Sequence, residues 1–155
     1  MKNFKYFFVF FFLLSCGYSP IYQVDKKPDI KLEIINFSGN KKIGREIIRG
    51  LKSFRENDST KIFNVKFNTF TQESISTKDK KGNATSYKLV LTVDADFTNR
   101  INNKNYQKKF TKETTFNSKN NKFELDQLKI NLEKNMISQI FQDINIFLGI
   151  IGNDI

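Results

Sequence analysis

The sequence predicts a single α+β domain with the element order β-α-β-β-β-α. Three observations carry this. The chain has 155 residues, enough for one core and little more. Four segments read as strands, most clearly where apolar and polar residues alternate with a period of two. Two others repeat their apolar residues at helical spacing, one after the first strand and one at the end of the chain.

The first strand is expected over residues 30–37, IKLEIINF. Ile30, Leu32 and Ile34 share one face and Ile35 and Phe37 the other. Apolar residues on both faces suggest an interior strand. Ser38-Gly39-Asn40 is a turn, with Ser38 or Asn40 as helix cap. One helix is expected over about residues 41–56, with Ile43, Ile47, Ile48, Leu51 and Phe54 on its stripe. A second strand lies within residues 61–75, where Phe63, Val65 and Phe67 alternate with Asn64, Lys66 and Asn68. Strand, helix and strand within ~40 residues suggest a right-handed crossover.

Residues 76–85, STKDKKGNAT, read as a polar basic loop. The clearest strand follows, with Tyr87, Leu89, Leu91, Val93, Ala95 and Phe97 on one face. Asn102-Asn103 is a hairpin turn, since Asn tolerates positive φ. A fourth strand over about residues 104–117 places Tyr106, Phe110 and Phe116 together. Asn121-Lys122-Phe123-Glu124 resembles a capping box. The last helix is expected over residues 122–148, ~40 Å long at 1.5 Å per residue. That exceeds the needs of a four-stranded sheet, so its end is expected to make an additional contact.

The first sixteen residues, MKNFKYFFVFFFLLSC, form a leader. Lys2 and Lys5 are its positive start, and the apolar run from Tyr6 to Leu14 follows. That run is shorter than the ~20 residues a spanning helix needs and fits the apolar region of a secretory signal. Leu13-Leu14-Ser15-Cys16 matches the bacterial lipobox. Cleavage is expected between Ser15 and Cys16, whose thiol carries diacylglycerol and whose new amino group is acylated. Two or three acyl chains hold a protein stably where one does not. Gly17 stands where an Asp would signal inner-membrane retention. The expected location is therefore the outer membrane, on its periplasmic side. Residues 17–29, with Pro20 and Pro28, read as an extended tether.

Composition excludes several chemistries. The chain has no His and one Cys. A Ser-His-Asp triad, a Cys-His pair and a His-ligated metal site are ruled out, as is a disulfide within the chain. No catalytic constellation, metal site or cofactor is expected. Asp94 and Asp96 share one strand face and could hold a cation, but a solvated strand face is the favoured reading. The net charge is +10, and +8 once Lys2 and Lys5 leave. That charge suits an anionic partner; a lipid-anchored chain meets the phosphates of lipopolysaccharide or phospholipid, not nucleic acid. Lys78, Lys80 and Lys81 cluster in the loop, and Lys104, Lys108, Lys109 and Lys112 on the hairpin. Of these, Lys78, Lys80, Lys81, Lys104, Lys108 and Lys109 are the candidate phosphate contacts, set against simple solubility and edge protection.

Leu14-Ser15-Cys16-Gly17-Tyr18-Ser19-Pro20-Ile21-Tyr22 resembles the C-G-[F/Y]-x-P-[L/I]-Y start of LptE-type lipopolysaccharide-assembly lipoproteins. The element order and the mature length of 140 residues are also similar. The resemblance implies a signal peptide over 1–15, a lipidated tether over 16–29 and an LptE-like domain over 30–155. It implies a four-stranded mixed sheet with two helices on one face. It also implies a partner: an LptD-type outer-membrane β-barrel, in which the chain sits as a plug, helping the barrel assemble and helping to deliver lipopolysaccharide to the outer leaflet. The family has no catalytic residues to carry over. Cys16 transfers as the lipidated residue, and lipopolysaccharide binding through basic surface residues is expected. The competing readings are an accessory lipoprotein of another envelope system, such as phospholipid transport, and an enzyme restricted to carboxylates.

Overall fold

The computed structural model describes residues 28–153. The signal peptide, the cleavage position at Ser15 and Cys16, and most of the 16–29 tether lie outside the described residues. In chain order the elements are β1 (Lys31–Gly39), α1 (Lys41–Gly50), the single-turn α2 (Lys52–Arg55), β2 (Ile62–Lys78), β3 (Ala84–Asn99), β4 (Asn105–Asn117) and α3 (Lys122–Asn153). The four strands form one sheet in the order β1-β2-β3-β4. β1 runs parallel to β2, and the other two pairs are antiparallel. The sheet is mixed, as expected, and the domain is α+β.

Alternation builds the core. Leu89, Leu91, Val93, Ala95 and Phe97 of β3 are buried, as are Phe63, Val65 and Phe67 of β2 and Phe110 and Phe116 of β4. All these side chains face α1 and α3, which pack on the same side of the sheet. α1 contributes Ile43 and Ile47, and α3 contributes Met136, Ile140, Ile144, Leu148 and Ile151. Phe97 is the hub of an aromatic group, with ring centroids 6.0 Å from Phe67 and 5.5 Å from Phe147.

Caps and turns follow the local sequence. The Asn40 side chain accepts hydrogen bonds from the N–H groups of Lys42 and Ile43 at 3.1 and 3.3 Å, satisfying two free donors at the start of α1. Asn121 does the same for α3, accepting from Phe123 and Glu124. Asn103 sits at φ 57° in the β3–β4 turn, where its N–H donates to the Asn99 carbonyl.

Four expectations need correction. β1 is an edge strand, not an interior one. A bulge shifts its register between Ile34 and Asn36. The extra residue reverses the phase of the alternation, so Phe37 returns to the helix side and packs against the core. The single helix over 41–56 is broken: α1 ends at Gly50, Leu51 leaves helical ψ, and α2 adds one turn. Gly50 is a poor helix former, and it lets the Phe141 ring of α3 approach closely. The loop over 76–85 shrinks to the residues between Lys78 and Ala84, because β2 and β3 continue to pair that far. α3 runs to Asn153 instead of Leu148. Its last turns fold against the start of β1, with Gly152 beside Ile30 and Pro28, and Lys61 Nζ donates to the Gly152 carbonyl at 2.9 Å.

Candidate functional site

Among the described residues the sheet has one covered face and one bare face. The bare face carries Asn64, Lys66, Asn68, Gln72 and Ser74 of β2, and beside them Thr98, Asp96, Asp94, Val90 and Lys88 of β3. β4 adds Gln107, Lys109, Thr111, Glu113 and Thr115. With Phe70 and Val90 as its apolar members, this is a mostly polar surface.

On it, Asp94 lies 3.7 Å from Lys109, and Asp96 stands opposite Lys66 in the register. Each carboxylate therefore has a cation as neighbour. No group of three or more potential metal-ligating side chains occurs among the described residues. The bare face can offer hydrogen bonds and compensated charges.

The candidate lysines fall into two places far apart. Lys78, Lys80 and Lys81 stand at the β2–β3 turn, Lys78 as the last residue of β2. Asp79 holds this turn: its carboxylate accepts from the Asn83 side chain at 3.0 Å and from the N–H groups of Asn83 and Lys81 at 2.9 and 2.8 Å. The Asn83 side-chain bond, reinforced by these backbone donors, lowers the Asp79 pKa from the ordinary 3.8. All three lysines are exposed and form no ion pair among the described residues. The turn thus presents positive charge from a fixed scaffold.

Lys104, Lys108 and Lys109 lie toward the opposite end: at ~3.3 Å per residue, β3 runs about 33 Å from Ala84 to Asp94, which pairs with Lys109, and about 50 Å to Asn99, which bonds the Lys104 carbonyl. The structure does not gather these three on one surface. Lys109 faces the bare side with Asp94. Lys108 faces the helix side, its Nζ 6.0 Å from the centre of the Phe147 ring. Lys104 lies over the Tyr106 ring at 4.9 Å. Lys112, also on the helix side, pairs with Asp143 at 2.7 Å.

Side-chain periodicity did not reveal a groove between the β4 edge and α3. It has a volume of about 370 Å³ and is lined by Lys108, Phe110, Asp143, Ile146, Phe147 and Ile150, among others. Ile146 and Ile150 are exposed there. The sequence reading sets the apolar residues from Ile146 to Ile151 apart as surplus to a small core, in contact with a partner or with the tether; the structure leaves Ile146 and Ile150 exposed and buries Leu148 and Ile151 in the core. The groove is apolar along α3 and basic along β4, which suits an amphiphile or an apolar partner wall. No helix among the described residues is long and apolar enough to cross a membrane.

Solved bacterial lipoproteins share this fold. Rare lipoprotein B from Shewanella oneidensis superposes with a TM-score of 0.61 at 11% identity, over 79% of this chain and 97% of that one. A minor lipoprotein from Acinetobacter baumannii gives 0.55 at 12% identity, over 80% and 92%. At these identities the likeness is one of fold. No sequence family and no curated protein matches the chain.

Proposed function

We propose that the chain is an outer-membrane lipoprotein, anchored through acylated Cys16, that sits as a plug inside an LptD-type β-barrel. There it assists assembly of the barrel and delivery of lipopolysaccharide to the outer leaflet, without catalysing a reaction. The observation that carries this reading is the start Cys16-Gly17-Tyr18-Ser19-Pro20-Ile21-Tyr22 joined to a domain whose fold recurs in lipoproteins. The bare polar face is in keeping with it. A barrel lumen has polar walls, and a plug there needs hydrogen-bonding side chains more than apolar ones. Lys78, Lys80 and Lys81 would meet lipopolysaccharide phosphates as point charges, with Lys104, Lys108 and Lys109 as a second, more dispersed set. Ile146 and Ile150 would contact the barrel.

The test is affinity purification of the full chain, tagged after Ile155, from detergent-solubilised outer membrane. The expected result is one large β-barrel protein at equal stoichiometry, with a double Ile146→Ser, Ile150→Ser variant retaining less of it. Truncation is a poorer test, because Leu148 and Ile151 are buried and their loss damages the core. Recovery of inner-membrane transport subunits would replace this reading with that of an accessory lipoprotein of phospholipid transport. Recovery of no stable partner would remove the plug.

A further inference from the structure

The sheet has three stretches of outer edge, and two are defended. β4 is one: its edge carries Lys108, Lys109 and Lys112, and edge lysines discourage the pairing of another strand. β1 is the second: the bulge between Ile34 and Asn36 twists and interrupts its ladder. The third belongs to β2. β1 pairs with β2 only as far as Gly39 opposite Thr69, after which the chain turns into α1. From Phe70 onward β2 pairs with β3 on one side and with no described strand on the other.

The backbone direction is fixed by one bond. The Thr69 carbonyl accepts from the Asn40 N–H at 3.0 Å, so Thr69 points toward the β1 side. Backbone groups alternate along a strand, so Thr71, Glu73 and Ile75 point their N–H and C=O groups into the gap. The register becomes irregular after Ile75, which ends the regular edge. Over this stretch the only charge is Glu73, and its carboxylate is drawn back to Lys129 at 2.8 Å. Phe70 and Ile75, each about half exposed, flank the edge on opposite faces. Beyond it stand Lys78, Lys80 and Lys81.

We propose that the β2 edge at Thr71, Glu73 and Ile75 receives an added strand from an extended, acidic segment of a partner polypeptide. Main-chain bonds to the three outward residues would hold the segment. Apolar side chains on its two faces would cover Phe70 and Ile75, and an acidic end would meet the lysines of the β2–β3 turn. A second copy of this chain fits poorly. Antiparallel pairing about the middle of the edge sets Glu73 against Glu73, and the two chains carry strong like charge. The proposal does not depend on the partner being a barrel.

The test is photo-cross-linking of the full chain in its own membrane, with benzoylphenylalanine at Gln72 or Ser74 and mass-spectrometric mapping of the adduct. The expected adduct lies in one short acidic stretch of a single protein. Thr71→Pro and Glu73→Pro each remove an outward N–H without touching the β3 ladder. Each should reduce the adduct by roughly 2- to 10-fold, the worth of one backbone hydrogen bond, and the double variant by more. Unchanged circular dichroism and melting would show that the variants fold, and Glu73→Ala separates the Lys129 ion pair from the N–H effect. The proposal is overturned by adducts that survive both prolines, by adducts to a second copy of the chain, or by no adduct at all. A mapped acidic strand in a protein other than a β-barrel would keep this inference and remove the plug.

Discussion

Residues 62–69 of β2 lie between β1 and β3 with α1 above them, and there burial alternates strictly through Phe63, Val65, Phe67 and Thr69. Residues 70–78 continue the same strand in hydrogen bond to β3, yet every one of them is exposed. The pairing is unchanged, so pairing does not explain the difference. What changes is the layer: β1 stops at Gly39 and the α1 helix begins, leaving the far half of β2 with no described strand on one edge and, in place of a packed helix, the Lys129 side chain of α3 reaching Glu73. The same strand is a core element in one half and a surface in the other.

The largest expected effect probes this contrast directly. Phe63→Ala empties a fully buried site and should cost ~3–5 kcal/mol in denaturant unfolding. Phe70→Ala, on the bare half, should cost less than about 1 kcal/mol. An equal loss at both positions would mean that the far half is covered in solution, and the contrast would fail for the isolated chain.

The same contrast explains what could be read in advance. β3 was legible because a helix layer covers nearly its whole length, so selection for burial writes a period of two into Tyr87 to Phe97. The caps Asn40 and Asn121 were legible because a free helix terminus asks for a side-chain acceptor in a local way. Residues 76–85 gave no strand signal for the reason that makes them interesting: with little packed on them, alternation is not demanded, and Ser, Thr and Lys can pair there. The bulge in β1 was hidden because one inserted residue makes a single apolar face look like two. For the site, the two groups of lysines were visible as charge. Their distribution over two faces and two ends depends on strand register, which a count of charges does not contain.

Two glycines give a smaller effect with the same logic. Gly39 (φ +84°) and Gly82 (φ +86°) both occupy left-handed backbone. An added Cβ at Gly39 would stand 1.9 Å from the Thr69 carbonyl oxygen, whereas at Gly82 it meets nothing within 4 Å. Gly82→Ala should therefore cost only the left-handed strain, ~1–2 kcal/mol. Gly39→Ala should cost that and a further ~1–3 kcal/mol, because the clash displaces the carbonyl that accepts from Asn40. Equal melting temperatures for the two variants would show that the β1–α1 junction yields more easily than the packed half of the domain should.

The smallest effect is confined to the bare end and concerns the turn that carries Lys78, Lys80 and Lys81. The Asp79 carboxylate is held ionised by the Asn83 side chain and by the N–H groups of Asn83 and Lys81, so its folded pKa lies below the unfolded value of 3.8. A depressed carboxylate contributes order that is fully present above the unfolded value and is lost as pH falls through the lower, folded one. The amide resonances of Lys81 and Asn83 should accordingly titrate with a midpoint below 3.8. Asp79→Ala should loosen the turn and raise amide exchange at Asn83 without a measurable change in unfolding, because the group is fully exposed. A midpoint at the ordinary carboxylate value would mean that the turn opens freely in solution, and the lysines would then be carried by a flexible tip instead of a fixed one. In that case the basic charge beside the β2 edge could attract an acidic segment but could not set its register, and register would have to come from Thr71, Glu73 and Ile75 alone.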